Sequence, residues 1–279
     1  MILSRIRFSV QQRIFWSGVR KKRKEWLALR NRQQDVIIKI SPDLSFKLYT
    51  DNELAPHIYC GAFEWAEREW LESVLQPGMV FYDIGANIGF FSVIAAEKVT
   101  TQGHVYSFEP VSGTHDRLVE NIQLNKKDKH VTTFLAAASD HVGEAQIYIP
   151  DKGMDAWNSL AVKPEAGNYR LETIKTIVLD ELVANKTLRS PDIIKIDVEG
   201  WELHVLKGLQ QTLQTYHPTL FVEFTSPNLK AAGTSCAELA EFIRALGYQL
   251  YEYDPRHKTL VVQHDFNFEH KNLIAKPAR

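Results

Sequence analysis

Cysteine is scarce in this chain: Cys60 and Cys236 stand far apart, with no histidine at metal-ligand spacing beside either. That excludes a disulfide framework and a zinc site, and points to a reducing, cytoplasmic setting. Long apolar runs are also missing. No stretch of about 18 hydrophobic residues is available to span a bilayer, and the N-terminus lacks the continuous apolar segment of a secretory signal. There is no internal repeat and no low-complexity tract. What is present is enough for a full core: 279 residues, 44% hydrophobic and 24% charged, which suits one large domain or one domain with an extension.

The formal charge of −1 conceals an asymmetry. Residues 1–34 hold ten Lys or Arg against the single acid Glu25, leaving 23 basic and 33 acidic residues to the rest. Ile2, Leu3, Ile6, Val10 and Ile14 recur at helical spacing in this arm, although Arg13 interrupts the apolar sector. Three readings stand: a helix lying on anionic membrane or an acidic partner, a helix packed on the acidic body of its own chain, or a targeting peptide. Residues 35–60 then read as a small hairpin and lead-in around the Ser41-Pro42-Asp43 turn, with residues 61–279 as the main domain.

In that domain strand-like and helix-like segments alternate. "MVFYDIG" precedes "FFSVIAAEKV", "HVYSFEP" precedes "THDRLVENIQLN", and "PDIIKIDVEG" precedes "WELHVLKGLQQTLQ". Continuous apolar strands between amphipathic helices specify an α/β fold with a parallel sheet covered on both faces. Ligands then bind outside the strands' carboxyl ends, near the switch point of the sheet.

"FYDIGANIGFF" (81–91) sits at such an edge. The nicotinamide-dinucleotide fingerprint requires three glycines, and counting from Gly85 its positions fall on Gly85, Asn87 and Phe90. Two of the three fail. The remaining pattern, Asp83-x-Gly85-x-Asn87-x-Gly89, places a carboxylate where a pyrophosphate is disfavoured and a ligand with ammonium and sulfonium charges is tolerated. The chemistry leans to S-adenosylmethionine. Glu109, 20 residues after Gly89 at the tip of the neighbouring strand, suits both hydroxyls of a ribose. In "KIDVEGWE" Lys195, Asp197 and Glu199 converge on the same edge, and Glu223 repeats the arrangement one strand further on. Charges at an apolar strand end must pair or serve a ligand, and a structural Lys195 ion pair remains one reading.

The motifs "YDIGANIGFFS", "VYSFEP", "AAASD", "IIKIDVEGWELHVLKGL" and "LFVEF", in this order and spacing, resemble the FkbM-type S-adenosylmethionine-dependent methyltransferases over roughly residues 60–255. The resemblance implies a Rossmann-like class I methyltransferase fold: a mostly parallel seven-stranded sheet, its last strand antiparallel, with helices on both faces. It also implies methyl transfer, usually to a hydroxyl oxygen, in polysaccharide or natural-product tailoring. Residue by residue, Asp83, Gly85, Asn87 and Gly89 would line the methionine part of S-adenosylmethionine, Phe90 would open the helix behind it, and Glu109 would hold the ribose. Asp140, with Ser139 as near competitor, would stand by the adenine amino group. Asp197 and Glu199 match the acidic motif, where acceptor binding, general base and orientation of the cofactor amine are all open.

An alcohol acceptor must lose a proton, and Asp197, Glu199 and Glu223 are the candidate bases in that order, with His204 more readily structural. No dedicated metal site is expected from the spacing. Residues 151–172, with Trp157, Asn158 and Tyr169, form either a sugar-binding lid or a surface excursion. The tail, with His264, Asp265, Glu269 and His270, reads as an edge strand and a disordered end. The expected partner is a glycan or small-molecule acceptor. Two alternatives are kept: a nucleic-acid methyltransferase or binder acting through the basic arm, and a non-catalytic scaffold in a membrane-associated complex.

Overall fold

The computed structural model describes residues 2–150 and 169–278. Helix α1 (Ile2–Asn31) leads to a hairpin of β1 (Val36–Lys39) and β2 (Ser45–Leu48), then α2 (Ala55–Cys60) and α3 (Trp65–Val74). There follow β3 (Val80–Ile84), α4 (Phe90–Val99), β4 (His104–Phe108), α5 (Ser112–Leu124) and β5 (Val131–Phe134). An excursion consists of β6 (Ala137–Ala138), β7 (Gly143–Pro150) and β8 (Tyr169–Ile177), and is closed by α6 (Leu179–Ala184). The second half runs β9 (Ile193–Ile196), α7 (Glu202–Lys207), α8 (Gln210–Tyr216), β10 (Thr219–Thr225), α9 (Ser226–Ala231) and α10 (Cys236–Ala245). It ends with β11 (Tyr248–Asp254), β12 (Thr259–Val262) and β13 (His270–Pro277).

The main sheet has the order β12-β11-β13-β10-β9-β3-β4-β5. β10, β9, β3, β4 and β5 pair in parallel. β3 and β9 are buried at every position, as strands covered on both faces must be. Alternation divides β3 between two cores: Phe81 packs with α3 and α4, while Tyr82 and Ile84 pack with α6, α7 and α10. Strand order reverses between β3 and β9, and a crevice opens there at the carboxyl ends. This is the Rossmann-like arrangement of class I methyltransferases, with one correction: among the described residues the sheet has eight strands rather than seven, because the β11–β12 hairpin adds an edge.

The tail requires a second correction. β13 is neither an edge nor disordered; it lies between β10 and β11 and pairs antiparallel with both. Ala275, fully buried, faces Leu220 on one side and Leu250 on the other. Its polar interruptions hide it in the sequence. Strand β8 was likewise hidden, and pairs with β7 from Tyr169 to Thr176.

The N-terminal elements are attached by specific contacts. Trp26 of α1 is buried against Tyr59, with ring centroids 5.4 Å apart, while Arg20, Lys21, Lys22, Arg23 and Lys24 are exposed. Side-chain amides of α5 and its C-cap bind β2: Asn121 Oδ1 accepts from Lys47 N at 2.7 Å, and Asn125 Oδ1 accepts from Ser45 N at 2.9 Å. Asn121 Nδ2 also donates to Ile88 O at 3.0 Å, which ties the hairpin to the turn after β3. Among the described residues no helix is long and apolar enough to cross a membrane.

The interior position of β13 is testable. Ala275→Asp buries an unpaired charge between two strands and should lower the unfolding free energy by about 3 kcal/mol or more in urea titration; a change within about 0.5 kcal/mol would place the tail outside the core.

Candidate active site

The glycine turn after β3 is shaped first by the protein itself. Gly85 has φ +80°, and a Cβ there would lie 1.8 Å from the backbone oxygen of Asp197. Only glycine lets the ends of β3 and β9 come so close. Gly85 N and Ala86 N both donate to Phe108 O at 3.0 Å, which joins the turn to β4. At Gly89, φ +90°, a Cβ would lie 2.6 Å from Leu118 Cδ1, so this glycine serves the packing of α4 on α5. Asn87, at φ +48°, donates its backbone N–H to Glu109 Oε2 at 3.0 Å. Glu109 Oε1 accepts from Val111 N, also at 3.0 Å. The Glu109 carboxylate is therefore held between the turn after β3 and the start of α5, and it lines the cavity.

That cavity has a volume of about 510 Å³ and opens over the ends of β3, β4, β9 and β10, within the range usual for small-molecule sites. Phe91, Phe108, Ala137 and Ile147 supply apolar wall, and Gly85, Asn87 and Phe90 also face it. Polar groups converge from several elements: Glu109, Lys195, Asp197, Glu199 and Glu223, as the sequence suggested, and Glu64, Glu269 and His270, which it did not.

Lys195 anchors the electrostatics. It is 3% exposed, with Nζ 2.8 Å from Asp197 Oδ2 and 3.9 Å from Asp83 Oδ1. Burial works against the ammonium, but the charges of Asp197, Asp83 and Glu64 outweigh it and hold the lysine above its ordinary range. Asp83 is pushed upward by burial while Lys195 and the Ser92 hydroxyl, donating at 2.6 Å, pull it down. Glu199 is pushed up to about 8 by burial and then by Asp197, and Glu223 rises well above the carboxylate range for the same reasons. Asp197, Glu199 and Glu223 each bring one oxygen within 4.8 Å of the others. Such spacing suits a shared proton or a hard cation.

The loop after β9 is built to present these groups. Glu202 Oε1 accepts from Val198 N at 3.2 Å and Gly200 N at 3.1 Å, closing the turn from below. Glu199 sits at φ +54° and accepts from Asn228 Nδ2 at 2.5 Å. Gly200 is required because a Cβ would stand 2.6 Å from Asn228 O. On the neighbouring strand, His270 Nδ1 lies 2.7 Å from Thr225 Oγ1 and 3.6 Å from Glu223 Oε1.

Four expected cofactor residues do not reach the cavity surface. Asp83 lies beneath it, 1% exposed and engaged with Ser92, and Gly89 is in the helix packing. Ser139 is 1% exposed and accepts from Trp201 Nε1 at 3.2 Å. Asp140 lies 2.8 Å from both His141 Nδ1 and His204 Nδ1. Burial works against its charge, but those histidine hydrogen bonds bring it down to about 2. Ser139 and Asp140 are partnered by the protein, Asp83 Oδ1 has no hydrogen bond and lies 3.9 Å from Lys195 Nζ, and Ala136, Ala137 and Ala138 line the wall. His204 stacks on Trp201 at 3.9 Å, a structural placement as expected. Trp157 and Asn158 lie outside the described residues, while Tyr169 opens β8 with its ring 5.2 Å from that of Tyr148.

The raised carboxyls make stability depend on pH. Glu199 binds a proton more tightly folded, at about 8, than its ordinary 4.5. The folded state is therefore favoured below that ordinary value, and the advantage is lost as pH rises through about 8. Urea midpoints should fall from mildly acidic to mildly alkaline pH, and Glu199→Gln should flatten the fall and raise the alkaline midpoint. Identical profiles would show that Glu199 is ionised throughout.

Residues 83–250 match the Methyltransferase FkbM domain. Hexuronic acid methyltransferase AglP of Haloferax volcanii is 35% identical over 136 residues, 49% of this chain and 52% of that protein. Methyltransferase sdnD of Sordaria araneosa is 27% identical over 155 residues, 46% of this chain and 60% of its own length. The chain thus spans about half the length of the first of these relatives. Among solved structures, methyltransferase FkbM from Methylobacillus flagellatus superimposes with a TM-score of 0.46 at 16% identity, covering 80% of this chain and 54% of that one. Since the matched domain takes in most of the crevice and more than half of the chain, the protein belongs to the FkbM family of S-adenosylmethionine-dependent methyltransferases.

Proposed function

We propose that this protein methylates a hydroxyl oxygen of a glycan or related sugar metabolite, with S-adenosylmethionine as donor. The observation that carries the reading is one cavity containing both Glu109, fixed at the tip of β4, and the Asp197, Glu199 and Glu223 cluster across the switch point. Glu109 keeps its carboxylate beside the turn after β3, where it can accept ribose hydroxyls. Phe108, Ala137 and Ile147 form an apolar wall for a nucleobase. The activated methyl carbon comes from the sulfonium of the bound cofactor.

The chain's own residues then orient the acceptor and move one proton. Asp197, bonded to Lys195, is the group best placed to receive the hydroxyl proton. Glu199, pushed up to about 8 by burial and then by Asp197, can hold a proton at neutral pH and donate it to a sugar hydroxyl, and burial and Asp197 push Glu223 in the same direction. A uronic-acid-containing glycan is the first acceptor to try, in keeping with the hexuronic acid relative.

Calorimetry with S-adenosylhomocysteine should show binding that Glu109→Ala weakens on the order of tenfold or more. Asp197→Asn should retain that binding while methyl incorporation into the acceptor falls by roughly 10²–10⁴. Binding of NAD in place of S-adenosylhomocysteine would overturn the reading.

A further inference from the structure

Glu64 is a cavity carboxylate that the mechanism above leaves without a task. It precedes α3 with φ +37° and ψ +46°, a left-handed conformation uncommon outside glycine. Glu64 makes no capping bond to the helix it precedes. It lines the cavity instead, and its Oε2 is buried with no hydrogen-bond partner. A strained backbone that holds an unpartnered carboxylate oxygen in a cavity is the arrangement of a ligand contact.

The surroundings say what that ligand carries. The charged groups acting on Glu64 are Lys195 on β9, Asp197 just after it, Asp83 on β3 and Glu67 on α3. Lys195 is the cation among them, and it is already bonded to Asp197 and close to Asp83. Among the described residues Glu64 Oε2 therefore has no cation donating an N–H to it. A sulfonium has charge but no donor, and a sugar hydroxyl has a donor but no charge; an ammonium has both.

We propose that Glu64 binds the α-ammonium group of the methionine moiety of S-adenosylmethionine. This rests on the methyltransferase reading. Burial, followed by the charge of Asp197, pushes the free carboxyl up to about 8, so engagement of a cation at neutral pH releases its proton. Glu64 is then a cofactor-binding residue contributed by the lead-in to the domain rather than by the sheet edge.

The test compares S-adenosylhomocysteine with 5′-methylthioadenosine, which keeps the nucleoside and thioether and lacks the ammonium. Glu64→Gln should weaken S-adenosylhomocysteine on the order of tenfold and leave methylthioadenosine unchanged. Unchanged affinity for S-adenosylhomocysteine, or equal loss for both ligands, overturns the proposal. The unsubstituted protein provides a measurement that needs no variant. Its affinity for S-adenosylhomocysteine relative to methylthioadenosine should rise from about pH 6 to about pH 8, with proton release detected in buffers of different ionisation enthalpy; a flat ratio with no release overturns it. If the unsubstituted protein binds neither ligand, the methyltransferase reading itself fails, and the two failures are thereby told apart.

Discussion

The buried ammonium of Lys195 is the interaction on which the site depends. A charge 3% exposed under a parallel sheet is costly unless it is paired. It is paired twice, to Asp197 at 2.8 Å and toward Asp83 at 3.9 Å, so the ends of β9 and β3 are held by one cation. Phe91 closes the space around it, with its ring centroid 5.2 Å from Nζ. Around this ion the cavity gathers more carboxyl groups than one ammonium can balance. The excess is met by protons on Glu64 and Glu199, both pushed up to about 8 by burial first. A cationic cofactor can take the place of those protons.

Close backbone approach is the second constraint. The ends of β3 and β9 meet so tightly that Gly85 admits no side chain, and the loop carrying Glu199 meets α9 so tightly that Gly200 admits none. These approaches place carboxylates from different strands within 4.8 Å of one another, and Glu202 and Asn228 fix the loop that carries them. Rigid placement of this kind allows modest side-chain chemistry to act on an already activated methyl group.

The parts of the site legible in the sequence are those whose meaning is local. Glu109 lies 22 residues from Asn87 and is joined to it through adjacent strand ends, so strand and turn spacing sufficed to find it. Asp197, Glu199 and Glu223 stood out because charges at apolar strand ends need a reason. Ser139 and Asp140 lie outside the cavity lining, and their bonds to Trp201 and His204, 62 and 64 residues away, could not be read from the local sequence. Glu64 and His270 carried no signal: one precedes an ordinary amphipathic helix, and the other opens a strand interrupted by lysine and asparagine.

By itself the sequence determined the α/β alternation, the glycine turn after β3 and the main carboxylates, because each follows from periodicity or from short-range spacing, while the family came from the resemblance of its motifs. Tertiary structure decided the insertion of β13 between β10 and β11, the eighth strand, the diversion of Asp83, Ser139 and Asp140 away from the cavity, and the arrival of Glu64 and His270 within it. These depend on which distant groups satisfy one another's charge and hydrogen bonds, and on burial that displaces protonation, neither of which is written in any local stretch of chain.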